Sequence, residues 1–101
     1  MDRIAQFTAL VAQQPANALF RFSLAQALDA ADRRGEAVEH YRICCASRAD
    51  WMMPRILLGK LLLRSGDATA AKPVLEDALQ LAIDQNHEDP EAELRALLAS
   101  L

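Results

Sequence analysis

Aromatic residues make up only 5% of this 101-residue chain, which also holds three glycines, four prolines and two histidines. So few turn-formers exclude a β-rich fold, whose many tight turns draw on glycine and proline. No apolar run reaches the roughly 18 to 20 residues that span a bilayer, so no membrane association is expected. The start, Met1-Asp2-Arg3-Ile4, lacks the basic-then-apolar order of a secretory leader, and a cytoplasmic location is expected. Cys44 and Cys45 are adjacent. A bridge between such neighbours would close a strained ring, so both are read as reduced thiols.

Concentrated basic charge is missing too. The net charge is −3, and its distribution is uneven: residues 1–75 carry ten Lys/Arg against seven Asp/Glu, residues 76–101 one Arg against seven acids. A nucleic-acid binder would show a dense basic face, so no nucleic-acid partner is expected. The acidic C-terminal quarter reads as a solvated helix face.

Sites for chemistry are equally sparse. His40 and Cys44 share a helix face at i, i+4, with Cys45 alongside, but structural zinc takes four ligands and His87 lies far along the chain in a polar turn. Metal or redox chemistry is therefore the most remote reading, and no metal or cofactor is expected. There is no phosphate loop, dinucleotide fingerprint or nucleophile elbow. Glu36 with Glu39, and Glu91 with Glu93, suit solvated faces better than a general acid/base pair. No enzyme is expected.

What the chain does have is alanine and leucine, both strong helix formers, within a hydrophobic content of 52%. Its length fits one domain. A shift of 34 residues superposes like on like: Leu24 on Leu58, Ala25 on Gly59, Leu28 on Leu62, Ala37 on Ala71, Tyr41 on Leu75, Cys44 on Ala78 and Arg21 on Arg55. Large residues fall on large and small on small. Leu24/Leu28 and Leu58/Leu62 keep i, i+4 spacing, and the second half of each unit places apolar residues at Ala37, Tyr41, Cys44 and at Ala71, Leu75, Ala78. These are the stripes of amphipathic helices. Small residues beside the leucines let two backbones approach.

The pattern Leu58, Gly59, Leu62, Gly66, Ala71, Leu75, Ala78 resembles the tetratricopeptide repeat, and the chain is similar to small, bacterial-type members of that family. Repeat 1 matches through Leu24, Ala25, Leu28, Ala37, Tyr41 and Cys44. It departs at the turn, where Asp32 stands for the usual glycine and Gly35 follows three residues later. Both repeats place Arg (Arg21, Arg55) where the family often has an aromatic. Upstream, Pro15, Leu10 and Phe7 match the end of a preceding second helix. The resemblance implies an all-α, right-handed α-α superhelix in one domain: a half repeat at 2–15, repeat 1 at 17–50, repeat 2 at 51–84 and a capping helix at 90–101.

Six helices are predicted, at 2–13, 17–31, 35–47, 52–65, 68–85 and 90–100. Asn17 and Asp67 are the expected N-caps. Asp89 is expected to cap the last helix with Pro90 in its first position, and Leu94, Leu97, Leu98 and Leu101 form its apolar stripe. Pro73 sits well inside its helix and predicts a bend or an irregular start. The 34-residue register fails near Leu81.

The resemblance also implies a binding surface, a concave face lined by the first helix of each repeat. The matching positions are Leu19, Phe22, Gln26 and Asp29 in repeat 1, and Met53, Ile56, Lys60 and Leu63 in repeat 2, with Arg64 at the edge. Leu19, Phe22, Met53 and Ile56 would form an apolar floor, with Lys60 and Arg64 as a basic margin for an acidic residue of a bound peptide or helix. The leading expectation is a module that binds or scaffolds another protein. The alternative is a homodimer that buries the same face, or cover by the chain's own terminal helix. Family members that grip the C-terminal carboxylates of major chaperones use Lys and Asn on this face. Phe22, Gln26 and Leu57 stand at those positions, so that ligand is not expected. Trp51, between the repeats, is expected to pack over the start of the next helix.

Overall fold

The computed structural model describes residues 2–101. It contains six helices and no strand among the described residues: α1 (Arg3–Gln13), α2 (Ala18–Ala30), α3 (Arg34–Ser47), α4 (Met52–Arg64), α5 (Ala68–Asp84) and α6 (Glu88–Ala99). The chain divides into two compact units, Met1–Arg48 and Ala49–Leu101.

In the first unit, the Asp2 carboxylate accepts the Ile4 amide at 2.9 Å to start α1, and Asn17 accepts those of Leu19 and Phe20 to start α2. Helix α2 packs against α1 and α3. Its Leu24, Ala25, Ala27 and Leu28 are buried, as are Ala37, Tyr41 and Cys44 of α3. No residue of α1 is fully buried.

The second unit repeats this plan. Helices α2 and α4 are both 13 residues long and begin 34 positions apart, at Ala18 and Met52, as α3 and α5 do at Arg34 and Ala68. Gly59 marks the crossing of α4 and α5. A Cβ there would come within 2.7 Å of Leu75 Cγ, and Leu75 is fully buried. Asp67 caps α5 through the Ala70 amide at 3.1 Å. Gln85 Nε2 donates to the Asp50 carbonyl at 2.9 Å, tying the end of α5 to the chain leading into α4.

Helices α2, α4 and α5 end in the same way. Asp32, Gly66 and Asn86 take positive φ of 61°, 80° and 59°, and the amides of Arg33, Asp67 and His87 reach back to the carbonyls of Leu28, Leu62 and Ala82. These are Schellman closures, which need one left-handed residue. Asp32 thus adopts the conformation that Gly66 adopts at the equivalent place, because Asp tolerates it better than most residues with a side chain.

One expectation is corrected. The last helix begins two residues earlier than predicted, with His87 as its N-cap and no side-chain cap bond. The left-handed Asn86 turns the chain so that the His87 carbonyl accepts the first helical bond, from Glu91, at 3.0 Å. Asp89 and Pro90 therefore lie inside the first turn, where amides have no helical acceptor and a proline is harmless. Pro73 lies within α5, which is one helix from Ala68 to Asp84. Pro73 and Thr69, whose carbonyl loses its partner, are both exposed, so water reaches the gap.

Helix α5 outlasts α3 by three residues, with 17 against 14, and α6 follows α4 by 36 positions, from Met52 to Glu88. At this new spacing Pro90, Leu94 and Leu98 repeat Pro54, Leu58 and Leu62. Leu94 is fully buried, as Leu58 nearly is. Helix α6 is thus built like a further first helix. Arg95 stands where Gly59 does, and it is exposed where Gly59 is buried.

Candidate protein-binding faces

In the first unit the face of α2 changes character along its length. Leu19 is 56% exposed. Phe22, one turn on, is half-buried and tilts against Tyr41 with ring centroids 6.1 Å apart and planes at 59°, a favourable aromatic geometry. Gln26 is exposed and Asp29 half-buried. The Tyr41 hydroxyl donates to Asp29 Oδ2 at 3.4 Å.

On the other side of α2, Arg21 links the α1–α2 turn to α3. Its Nη1 lies 3.1 Å from His40 Nδ1, and its Nη2 donates to the Pro15 carbonyl at 3.4 Å. A guanidinium only donates, so Nδ1 accepts and the imidazole proton sits on Nε2. Burial and the neighbouring Arg21 charge hold His40 below its ordinary value. Close by, a cleft of about 390 Å³ has Leu24 and Leu28 at its floor, Ile4 and Val11 on the α1 side, and Arg33 and His40 on the α3 side.

Cys44 Sγ approaches the Ala18 carbonyl at 3.8 Å. Burial pushes its thiol up to about 11, so at neutral pH it is not the thiolate that redox or nucleophilic chemistry requires. No cluster among the described residues has the donors to hold a metal ion.

In the second unit Met53 is 47% exposed, whereas Ile56 is only 6% exposed. Leu63 and Lys60 are half-buried and Arg64 is exposed. Lys60 does not stand as an open basic margin: its Nζ is ion-paired with Glu93 of α6. The pair is partly solvated and adds little stability, but it neutralises Lys60. Met53, Ile56, Leu57 and Lys60 of α4, with Asp89, Pro90 and Glu93 of α6, enclose a cleft of about 270 Å³. The acidic side of this cleft was not foreseen. Its signal was the 36-residue echo of Pro54, Leu58 and Leu62 in Pro90, Leu94 and Leu98, which places α6 as a first helix. Trp51 is half-buried at the start of α4, and its carbonyl accepts Arg55 Nη1 at 2.6 Å.

No protein-family model and no curated protein matches the sequence. Among solved structures, the type III secretion translocator chaperone SycD of Yersinia enterocolitica is similar, with a TM-score of 0.84 at 16% identity, over 97% of this chain and 74% of that one. At that identity the likeness speaks for the fold, which is all-α and tetratricopeptide-like. None of the described helices is long and apolar enough to cross a membrane.

Proposed function

We propose that the protein is an interaction module in which each unit offers the exposed apolar part of its first helix to a peptide or helix of another protein. The observation that carries this reading is the pair Leu19 and Met53. They occupy equivalent places 34 positions apart in α2 and α4, and both stand exposed while their repeat neighbours Leu24 and Leu58 are buried. Single exposed apolar residues are common on soluble proteins, but their recurrence at the same place in both units supports a contact role for these helices. The role of SycD as a translocator chaperone is in keeping with such a reading. Catalysis finds no support in the titrating groups: His40 is engaged by Arg21, and the Cys44 thiol is held protonated by burial. Two free thiols fit a reducing compartment such as the cytoplasm.

The test is capture from cell extract by immobilised wild type and by the double variant Leu19→Asp, Met53→Asp, with helicity checked by circular dichroism. Partners held by the wild type and lost by a folded variant are expected. Light scattering over a range of concentrations addresses a second copy as the occupant: a mass that doubles in the wild type and not in the variant assigns the face to self-association. Equal capture and equal mass for both proteins would overturn the reading.

A further inference from the structure

We propose that the α4–α6 cleft selects a cationic amphipathic segment, one whose apolar residue enters against Met53, Ile56 and Leu57 while an adjacent Lys or Arg meets Asp89. This rests on the reading of the chain as an interaction module and adds the chemistry of the guest. The cleft has two chemical sides. Its α4 wall is apolar, with Met53 exposed and Ile56 closing the floor. Its α6 wall is acidic, with Asp89 and Glu93.

Among the described residues Lys60 is the one cation that lines it, and it is paired with Glu93. Asp89 is then left as the unpaired carboxylate of the cleft, for among the described residues no ion pair or side-chain hydrogen bond engages it. The first turn of α6 adds Glu88 and Glu91, of which Glu91 is paired with Arg95. Glu88 and Asp89 together outweigh the roughly half a positive charge at the α6 N-terminus, which leaves this side of the cleft with an excess of negative charge. An acidic guest would meet repulsion here, whereas a basic one gains at the rim without disturbing Lys60. Complementary rim charge acts on selectivity and on the rate of encounter more than on raw affinity.

The experiment uses two fluorescent synthetic helices of equal length with the same leucine face, one bearing lysines on its polar face and the other glutamates. Anisotropy titrations compare the wild type with Asp89→Asn, Asp89→Lys and Met53→Asp. Glu76→Lys, on an exposed position of α5, is the control for net charge. The lysine peptide is expected to bind more tightly than the glutamate peptide. Asp89→Asn should weaken it about two- to fivefold, as for loss of one exposed ion pair, and Asp89→Lys more, while Glu76→Lys leaves it nearly unchanged. Met53→Asp should weaken both peptides.

Equal or tighter binding of the glutamate peptide, still lost in Met53→Asp, would overturn the charge selection and leave the apolar module standing. An effect of Glu76→Lys as large as that of Asp89→Lys would overturn the cleft as the source of selection. Failure of both peptides to bind would overturn this inference, and capture that still depended on Leu19 and Met53 would leave the parent reading intact.

Discussion

The three glycines occupy three different physical situations, and replacing each by alanine should give three different results. Gly59 is the severe case. In a helix interior, Gly→Ala by itself gains about 1 kcal/mol from backbone entropy. Here the added Cβ would lie within 2.7 Å of Leu75 Cγ and closer still to one of its methyl groups. Leu75 is fully buried, so it cannot swing away without displacing neighbours. Overpacking of this kind costs about 1–3 kcal/mol. A contact this short against a buried side chain belongs in the upper part of that range, about 2–3 kcal/mol, so the net loss for Gly59→Ala should be about 1–2 kcal/mol, or roughly 5–10 °C in melting temperature for a chain of this size.

Gly35→Ala meets nothing within 4 Å and should gain up to about 0.5 kcal/mol, less than mid-helix because it lies in the first turn. Gly66→Ala also meets nothing but inherits a φ of +80°, and should lose about 1 kcal/mol from left-handed strain. Urea titrations followed by circular dichroism measure all three. In a double-mutant cycle, Leu75→Val should relieve part of the Gly59→Ala penalty, since it removes bulk at the point of collision. Gly59→Ala as stable as the wild type, or the order Gly35, Gly59, Gly66 in rising loss, would refute the argument that close approach to Leu75 sets the need for glycine.

Two other outcomes follow from the turns and the titrating groups. Asp32→Gly should stabilise the protein by up to about 1 kcal/mol in the same urea assay, because it removes the strain of a side chain at φ 61° for the loss of one exposed ion pair with Arg34. For pH, His40 is held below its ordinary 6.5, so the unfolded chain binds its proton first and stability should fall as pH drops below about 6.5. His40→Gln should flatten that limb of a melting-temperature profile. Cys44 shifts the other way, from 9.0 to about 11: its contribution is full below pH 9 and is lost as pH rises toward 11, and the profile of Cys44→Ala should lack that loss.

Much of the fold was legible because its signals are local. Asn17, Asp67 and the leucine–alanine spacing specify helix starts and faces within one or two turns of chain, so the predicted helices and the observed ones differ by at most two residues at each end. The last helix shows where local reading stops. Asp89 is a good cap residue in a sequence, but Asn86 takes the left-handed turn and gives the cap to His87. The irregularity expected at Pro73 depends on whether water reaches the orphaned carbonyl, and the exposed setting of Thr69 meets that condition.

The candidate faces divide in the same way. A 34-residue period and a 3.6-residue turn suffice to put Leu19 with Met53, and Phe22 with Ile56, on the first helices. What each residue does there follows from packing. Ile56 is buried while Met53 is not, Phe22 rests on Tyr41, and Lys60 is answered by Glu93. The reason is physical: helix periodicity is carried by neighbours in the chain, whereas burial and charge pairing belong to residues some 20 to 35 positions apart. Their meeting depends on how the helices pack, and with it goes the sign of the charge that the α4–α6 cleft offers a guest.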